Sequence, residues 1–170
     1  MLVKLVKPTL FMEREYYNFS EEWARNGEEI IPYSARLLED SYRVWLENIY
    51  KFENKESCPA DFVPAHTYFL IADEKILGAI NIRQCLNEYL YNFGGHIGYG
   101  IRPSERRKGY ATLMLSLALP IANGLGIPNA LITCDRCNKA SAKTIINNGG
   151  VLENEVAQNG KIIQRYWIKL

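Results

Sequence analysis

The spacing of apolar residues changes at His66 from the period of a helix to the period of a strand. After His66, short apolar runs alternate with turn residues, which is typical of paired strands. A chain that combines both patterns predicts an α+β fold. Before His66, apolar and mostly aromatic residues form two stripes at helical spacing: Met12, Tyr16, Phe19 and Trp23, then Leu38, Tyr42, Trp45, Ile49 and Phe52.

Turn signals divide the chain into elements in the order β-α-α-β-β-β-α-β-α-β-β. An antiparallel run of strands that leads into a strand–helix–strand unit predicts a mixed sheet with helices on both faces. The fourth strand is expected at His96–Ile101, the third helix at 105–125 and the fifth strand at 130–135. The next helix is expected at 138–148 and a final hairpin at 151–169.

The composition restricts the class of protein. The 170 residues are 48% apolar and 23% charged, which favours one globular domain, residues 1–170, over a disordered chain. A net charge of +1 argues against a nucleic-acid partner, so any basic surface has to be local. The uncharged stretch 110–133 is interrupted by proline and glycine, which argues against a membrane span.

Cysteine content and the first residues predict a cytoplasmic protein. The four cysteines are too few for a secreted disulfide scaffold, and the N-terminal residues lack the apolar run of a signal peptide. Cys134 and Cys137 form a CxxC, but no second pair of ligands accompanies it, so no metal site is predicted. Both thiols are interpreted as small packing groups, with transient acylation of Cys134 as an alternative.

The segment HIGYGIRPSERRKGYATLML, residues 96–115, carries the strongest chemical signal. A strand ends at Ile101, a short loop follows, and the run from Arg106 to Ala111 is expected to open the helix. Unpaired N–H groups at a helix start bind phosphate, and a glycine lets the ligand approach the backbone. The segment therefore predicts a pyrophosphate site with additional positive charge. The charge would come from Arg102, Arg106, Arg107 and Lys108.

Three other interpretations of this basic segment compete with a phosphate site. Cations at a helix start oppose the helix dipole, so a solvated basic face would need anions nearby. A nucleic-acid surface would be expected to interleave aromatic residues with the cations. A nucleotide-binding loop would need GxxxxGK[ST] or GxGxxG, and the sequence contains neither.

The same segment resembles motif A (Q/R-x-x-G-x-G/A) of the GNAT superfamily of N-acetyltransferases, with Arg106, Gly109 and Ala111 at the motif positions. The resemblance extends over roughly residues 2–169, including the order of elements. GGHIGYGIRPSERRKGYA and LITCDRCNKASAKTIINNGGVLENE are similar to a bacterial branch of uncharacterised predicted acetyltransferases. A second family stretch is matched by Asn138, Ser141, Asn148 and Gly149.

This resemblance implies that acetyl-CoA lies in a V-shaped gap between splayed fourth and fifth strands, His96–Ile101 and Ala130–Asp135. It assigns residues 9–54 to acceptor-side helices, 66–150 to the acetyl-CoA core and 151–169 to a C-terminal hairpin. The implied cofactor-binding residues are Tyr99, Gly100 and Ile101 along the pantetheine arm, Arg106, Arg107, Lys108, Gly109, Tyr110, Ala111 and Thr112 at the pyrophosphate, and Cys134, Asn138 and Ser141 at the thiol end.

Two glycines in the fourth strand fit this interpretation. Gly98 and Gly100 are costly inside a strand, by roughly 0.5–1 kcal/mol each. We expect either a bulge in the strand or a ligand close against it.

The implied reaction is direct transfer of acetyl from acetyl-CoA to a primary amine of a small molecule or peptide, with no metal. The family often places a tyrosine seven residues after the asparagine to protonate the departing thiolate, and here that position is Ile145. Candidates for proton handling are therefore Glu88, His96 and Tyr99. Glu88 is favoured as the base because a desolvated carboxylate has a raised pKa, whereas His96 is favoured as structural. The alternative function is a catalytically silent acyl-CoA sensor.

The acceptor is expected between the loop 26–34 and the hairpin 156–161. Acidic residues in and after that loop favour a cationic amine. Leu115 and Leu119 point away from the main apolar face of their helix, so we expect other elements or the second subunit of a homodimer to cover them. The acidic residues are Glu28, Glu29, Glu39 and Asp40.

Overall fold

The computed structural model describes residues 2–170 and has the predicted order of elements. The helices are α1 (Glu13–Arg25), α2 (Tyr42–Lys51), α3 (Tyr110–Gly124) and α4 (Lys139–Asn147). The strands are β1 (Val3–Val6), β2 (Ala65–Ala72), β3 (Lys75–Arg83), β4 (Ile97–Ile101), β5 (Asn129–Asp135), β6 (Val151–Gln158) and β7 (Lys161–Lys169). Short 3₁₀ turns lie at Leu10–Met12, Tyr33–Ala35 and Pro103–Glu105, and a π-helical turn lies at Leu90–Gly94.

The strands form two antiparallel sheets rather than one continuous mixed sheet. The first sheet has the order β1-β2-β3-β4, and the second has the order β5-β7-β6. β4 and β5, the edges that face each other, are joined at one end only. There the His96 N–H donates to the Leu131 carbonyl (2.7 Å), and the Leu131 N–H donates to Nδ1 of His96 (2.9 Å). The predicted splay between the fourth and fifth strands is confirmed.

Two apolar cores flank the first sheet. One core packs α3 and α4 against the sheets, and it includes Met114 and Ile145. The other packs α1 and α2 against the opposite face of β2 and β3, and its centre is a cluster of tilted and stacked aromatic rings. This confirms that the aromatic stripes are core residues. The buried members of the stripes are Tyr16, Phe19, Trp23, Tyr42, Trp45 and Ile49.

The second stripe was predicted to begin one turn too early. Leu38 is exposed and has a positive φ of 56°, so it lies in the loop before α2. The helix starts after Ser41, whose hydroxyl accepts a hydrogen bond from the Val44 N–H (3.3 Å). This cap fixes the helix start because it satisfies one of the N–H groups that have no partner inside the helix.

The third helix also starts later than predicted. It begins at Tyr110 instead of residue 105, because Arg107 (φ 63°) and Gly109 (φ 83°) have left-handed backbone. Leu115 is fully buried in this helix, and Leu119 packs against the same core. The chain itself covers both leucines, so the homodimer stays a prediction. Within residues 2–170, no helix has the length and apolarity to cross a membrane.

Candidate active site

The edge of β4 that faces β5 carries free backbone groups. The Arg83 N–H donates to the His96 carbonyl and the Arg102 N–H donates to the Leu77 carbonyl, both at 2.8 Å. In an antiparallel pair, hydrogen-bonding direction alternates along the strand. The N–H and C=O groups of Tyr99 and Ile101 therefore point into the β4–β5 gap, whereas those of Gly100 point toward β3. Of the residues predicted along the pantetheine, Tyr99 and Ile101 have the required direction and Gly100 does not.

The two glycines of β4 make room for the protein's own groups. A Cβ on Gly98 would lie 3.0 Å from Nη2 of Arg83, and a Cβ on Gly100 would collide with the Ile31 carbonyl oxygen. β4 also pairs with β3 without a register shift. The expected bulge is therefore wrong, and the close neighbour is the chain itself rather than a ligand.

The segment between β4 and α3 presents an uninterrupted row of free backbone donors. No N–H group from Arg107 to Thr112 has a hydrogen-bond acceptor among residues 2–170. The first bond of the helix is donated by Leu113 to the Gly109 carbonyl (3.1 Å). Left-handed backbone between other conformations turns successive N–H groups toward one concave side, which suits an anion. We call residues 107–112 the amide cradle.

The space above the amide cradle is open. Nothing lies within 4 Å of the position that a Cβ on Gly109 would take. The positive end of the α3 dipole points to the same place, so the region attracts negative charge. Tyr110, Ala111 and Thr112 are half-buried, whereas Arg107 and Lys108 are exposed. This geometry fits the diphosphate of a coenzyme.

Most of the expected positive charge at the amide cradle is already neutralised. Buried Arg102 pairs with Glu15 (2.6 Å) and Glu22 (2.5 Å), and Lys108 pairs with Glu105 (2.9 Å). Only Arg107 among the four predicted cations lacks an ion pair within residues 2–170. Pairing leaves less free positive charge than the four cations suggest, and their contacts with phosphate stay a prediction.

Arg106 connects the amide cradle to the loop between α1 and α2. Its guanidinium makes a bidentate pair with Glu28 (2.8 and 2.6 Å) and lies over the Trp23 ring at 4.9 Å. Its Nε donates to the Ile101 carbonyl (3.1 Å). Hydrogen bonds from Arg106 lower the pKa of Glu28. The motif arginine thus holds two walls of the site together, because Trp23 and Glu28 belong to the acceptor-side helix and loop.

Three residues that were predicted at the thiol end lie close together beside the gap: Cys134, Asn138 and Ser141. The Tyr99 hydroxyl lies 2.8 Å from Oγ of Ser141, and burial raises the pKa of Tyr99 to about 12. Cys134 is buried next to them, and burial raises the pKa of its thiol. A protonated thiol is a weak nucleophile, which disfavours transient acylation of Cys134. Asn138 accepts the Ser141 N–H (3.0 Å) and so caps α4.

The other candidates for proton handling differ sharply in environment. Glu88 is exposed at the start of the turn before β4, so it lacks the desolvation on which its prediction as a base depended. His96 is buried, its Nδ1 is occupied by the Leu131 N–H, and burial lowers its pKa to about 4. A neutral imidazole whose Nδ1 accepts a backbone hydrogen bond fits the structural role. Ile145 is fully buried against Gly150 in the main core.

A cavity of about 630 Å³ lies on the α2 side of the first sheet. It is bounded by the 33–40 loop, α2, residues 61–63 and residues 87–90. Of the two predicted walls, 26–34 contributes Tyr33 and Ser34, and 156–161 contributes no lining residue. Asn81 and Arg83 of β3 line its inner end. Sequence analysis missed both, although two polar residues at alternating positions of an otherwise apolar strand were a usable signal.

The acidic character expected of the acceptor loop is reduced by pairing. Glu28 is bound to Arg106, and Glu29 is bound to Arg36 (2.7 Å). Both pairs reduce the negative charge that these two carboxylates offer to a cationic amine, and the preference for such an amine stays a prediction. Among residues 2–170, no three histidine, cysteine or acidic side chains group as metal ligands, and all four cysteines are free.

Solved structures with the same fold are acetyltransferases. The microcin C7 self-immunity acetyltransferase MccE, solved with acetyl-CoA and AMP, has a TM-score of 0.71 at 20% identity, over 99% of this chain and 92% of that one. The ribosomal L7/L12 α-N-protein acetyltransferase RimL, solved with coenzyme A, has a TM-score of 0.70 at 13% identity, over 99% and 94%. A chimera of spermidine N-acetyltransferase SpeG from Vibrio cholerae and hSSAT has 0.64 at 14%, over 99% and 96%.

No curated protein matches the chain by sequence. The family model described as the acetyltransferase (GNAT) domain matches residues 12–151, which includes β4, the amide cradle and α4. Members of this family take the acetyl group from acetyl-CoA, so the predicted enzyme class and co-substrate are confirmed. The chain belongs to the GNAT acetyltransferase family.

Proposed function

We propose that the protein transfers the acetyl group of acetyl-CoA directly to a primary amine of a small molecule or peptide. The observation that carries this proposal is the amide cradle, residues 107–112, whose N–H groups have no acceptor in the part of the chain that the structure describes. Unpaired donors beside a helix N-terminus need an anion or water, and the diphosphate of coenzyme A supplies the anion. The free edge of β4 continues from the cradle into the gap.

In this proposal the pantetheine arm lies along β4. The N–H and C=O groups of Tyr99 and the N–H of Ile101 are its hydrogen-bond partners, and the thioester comes to rest beside Tyr99. A backbone N–H of β4 that points at the thioester oxygen stabilises the negative charge that develops there during attack. Holding amine and thioester in one gap supplies a further part of the acceleration.

Tyr99 takes the place of the tyrosine that the family often has at the position of Ile145. The Tyr99 hydroxyl stays protonated at neutral pH because its pKa is about 12, and Ser141 lies within hydrogen-bonding distance at 2.8 Å. It can therefore donate a hydrogen bond to the sulfur as thiolate character develops. Glu88 remains a predicted base without supporting contacts, and His96 positions the two strands.

Proteins of similar fold use acceptors of different chemical classes. The relatives of similar fold are named for acceptors as different as spermidine and the N-terminus of a ribosomal protein. Four free cysteines and the need for acetyl-CoA support the predicted bacterial cytoplasm as the place of action.

The proposal is tested by calorimetry with coenzyme A, followed by thiol release from acetyl-CoA with a panel of amines. Wild type should bind coenzyme A and release thiol with at least one amine. Tyr99→Phe should lower kcat about 10- to 100-fold while affinity for coenzyme A stays within about twofold, because the hydroxyl acts on developing charge. Tyr50→Phe, which removes a bond to the Pro8 carbonyl (2.9 Å), is the control and should leave kcat unchanged.

Two outcomes contradict the proposal. Absence of coenzyme A binding by folded wild type removes its basis. Binding without thiol release for any amine favours the alternative of a silent acyl-CoA sensor.

A further inference from the structure

The cavity beside α2 has aromatic walls. Its volume of about 630 Å³ lies within the range for small-molecule sites, which are mostly apolar with a few polar groups. The polar groups at the inner end come from β2 and β3: the Thr67 hydroxyl, which accepts from Asn81 (3.2 Å), and the Arg83 guanidinium. The aromatic lining consists of Tyr33, Trp45, Phe52, Phe62 and Tyr89.

Arg83 has an unused hydrogen-bonding edge. Its Nη1 donates to the carbonyls of Gly94 (2.9 Å) and Gly95 (3.0 Å). Among residues 2–170, neither Nε nor Nη2 has an acceptor, and Arg83 is one of the residues that line the cavity. This edge of a guanidinium matches the two oxygens of a carboxylate.

No carboxylate within the described residues, 2–170, balances the charge of Arg83. The other sheltered arginines all have one: Arg102 pairs with Glu15 and Glu22, and Arg165 pairs with Glu153. The carboxylates that line the cavity, Asp40 and Asp61, are exposed and make no ion pair with Arg83. Desolvation lowers the pKa of Arg83. An unpaired, desolvated cation is costly, and a bound anion removes that cost.

The position of Arg83 relates its charge to the proposed reaction. The guanidinium lies against Gly98, next to Tyr99, whose backbone faces the gap. An anion bound to Arg83 is therefore close to the amine that attacks the thioester. The acceptor therefore has to carry its anionic group and its amino group only a few bonds apart. The rest of the acceptor faces the aromatic walls of the cavity.

We propose that Arg83 binds the carboxylate of the acceptor, and that the substrate class is apolar and aromatic α-amino acids. This inference rests on the proposed acetyl transfer. The neutral amino nitrogen forms a bond to the acetyl carbon, the carbon–sulfur bond breaks, and one proton from the amine ends on the coenzyme A thiol. The products are the N-acetyl amino acid and free coenzyme A, so no further reactant is needed.

Matched pairs of acceptors test the inference directly. Phenylalanine is compared with phenethylamine, tyrosine with tyramine, and leucine with isopentylamine, by thiol release from acetyl-CoA. The member with the carboxylate should have about 10- to 100-fold higher kcat/KM, as expected for hydrogen bonds to a charged group. An aminophosphonate analogue of phenylalanine should be acetylated less well than phenylalanine.

Arg83→Met removes the charge at similar side-chain length. It should abolish the preference within each pair by raising KM for the amino acids, while KM for acetyl-CoA stays the same. Arg43→Met is the control: Arg43 is exposed on α2 and away from the cavity, so its loss should leave the preference intact. If Arg83→Met fails to fold, a thermal shift of wild type by N-acetylphenylalanine, and not by N-acetylphenethylamine, tests the same contact.

The outcomes separate this inference from the proposed function. Equal or better acetylation of the amines without a carboxylate overturns the role of Arg83 and leaves acetyl transfer intact. A preference for the aminophosphonate overturns the assignment to a carboxylate. Loss of coenzyme A binding by wild type contradicts the proposed function instead, and this is measured separately by calorimetry.

Discussion

The amide cradle and the α2-side cavity are built from different parts of the chain. The cradle consists of consecutive backbone N–H groups of residues 107–112, and three of its four nearby cations are paired with carboxylates. The cavity is made by side chains from residue 33 to residue 90, and its inner cation, Arg83, has no carboxylate partner in the described range 2–170. One region offers backbone dipoles and the other offers a side-chain charge.

This difference predicts opposite responses to substitution. A site made of backbone groups depends on local conformation, so it tolerates changes of most side chains but not a blocked approach. A site made of side chains depends on each residue that faces the ligand, so it can change specificity while the cofactor site stays intact. Substitution of side chains is therefore expected to leave the preference for the co-substrate unchanged and to alter the preference for the acceptor.

The largest effect is expected at Gly109. Gly109→Glu should weaken coenzyme A binding at least about 100-fold, because a carboxylate would occupy the open space where the diphosphate is expected. Gly126→Glu is the matched control, since Gly126 has a similar φ (85° against 83°) and equally open surroundings at the far end of α3. Both variants should lose a similar amount of stability, about 1–2 kcal/mol.

Calorimetry and thermal unfolding measure both quantities. Equal affinity for coenzyme A in the two variants would show that the amide cradle is not the diphosphate site.

The order of elements could be predicted because each element carries its own local signal. Asn159 and Gly160 have positive φ values of 48° and 77° in the final hairpin, as the Asn-Gly pair predicts. Motif A likewise lies in one short segment, so the sequence could predict the segment that forms the amide cradle, and its role as the cofactor site stays a proposal. The structural interpretation of His96 also agrees with its burial and its bond to Leu131.

The charge balance could not be predicted because it depends on residues far apart in the chain. Arg102 meets Glu22 and Glu15 across 80 and 87 positions of sequence, so no local pattern indicates that it is neutralised. The helix start was missed because Arg107 adopts a left-handed backbone that non-glycine residues rarely have. The cavity was missed because its lining comes together only through packing of α2 on the sheet.

The connection between β4 and β5 should respond to pH through His96. Its pKa is about 4 in the folded protein and 6.5 in an ordinary environment. Because the unfolded chain binds the proton more tightly, this contribution to stability is complete above pH 6.5 and is lost as the pH falls toward 4. Between pH 7 and pH 5, wild type should lose about 2 kcal/mol more than His96→Asn, which retains an acceptor for the Leu131 N–H.

Urea unfolding at the two pH values measures this difference. The chain has two histidines, so His66→Asn serves as the control for the remaining one. Parallel losses in wild type and His96→Asn would contradict the assignment of His96 as a buried neutral group.

The smallest expected effect compares two adjacent cations of the amide cradle. Arg107→Met should weaken coenzyme A binding about threefold, because Arg107 is exposed and free to approach a phosphate. Lys108→Met should change the affinity less, since Lys108 is held by Glu105 at 2.9 Å and contributes little net charge. The Arg107 effect should shrink as salt is raised, because exposed charges are screened over about 10 Å at 0.1 M. If Lys108→Met weakens binding more than Arg107→Met, the lysine leaves Glu105 for the coenzyme, and the cradle uses side-chain charge as the cavity does.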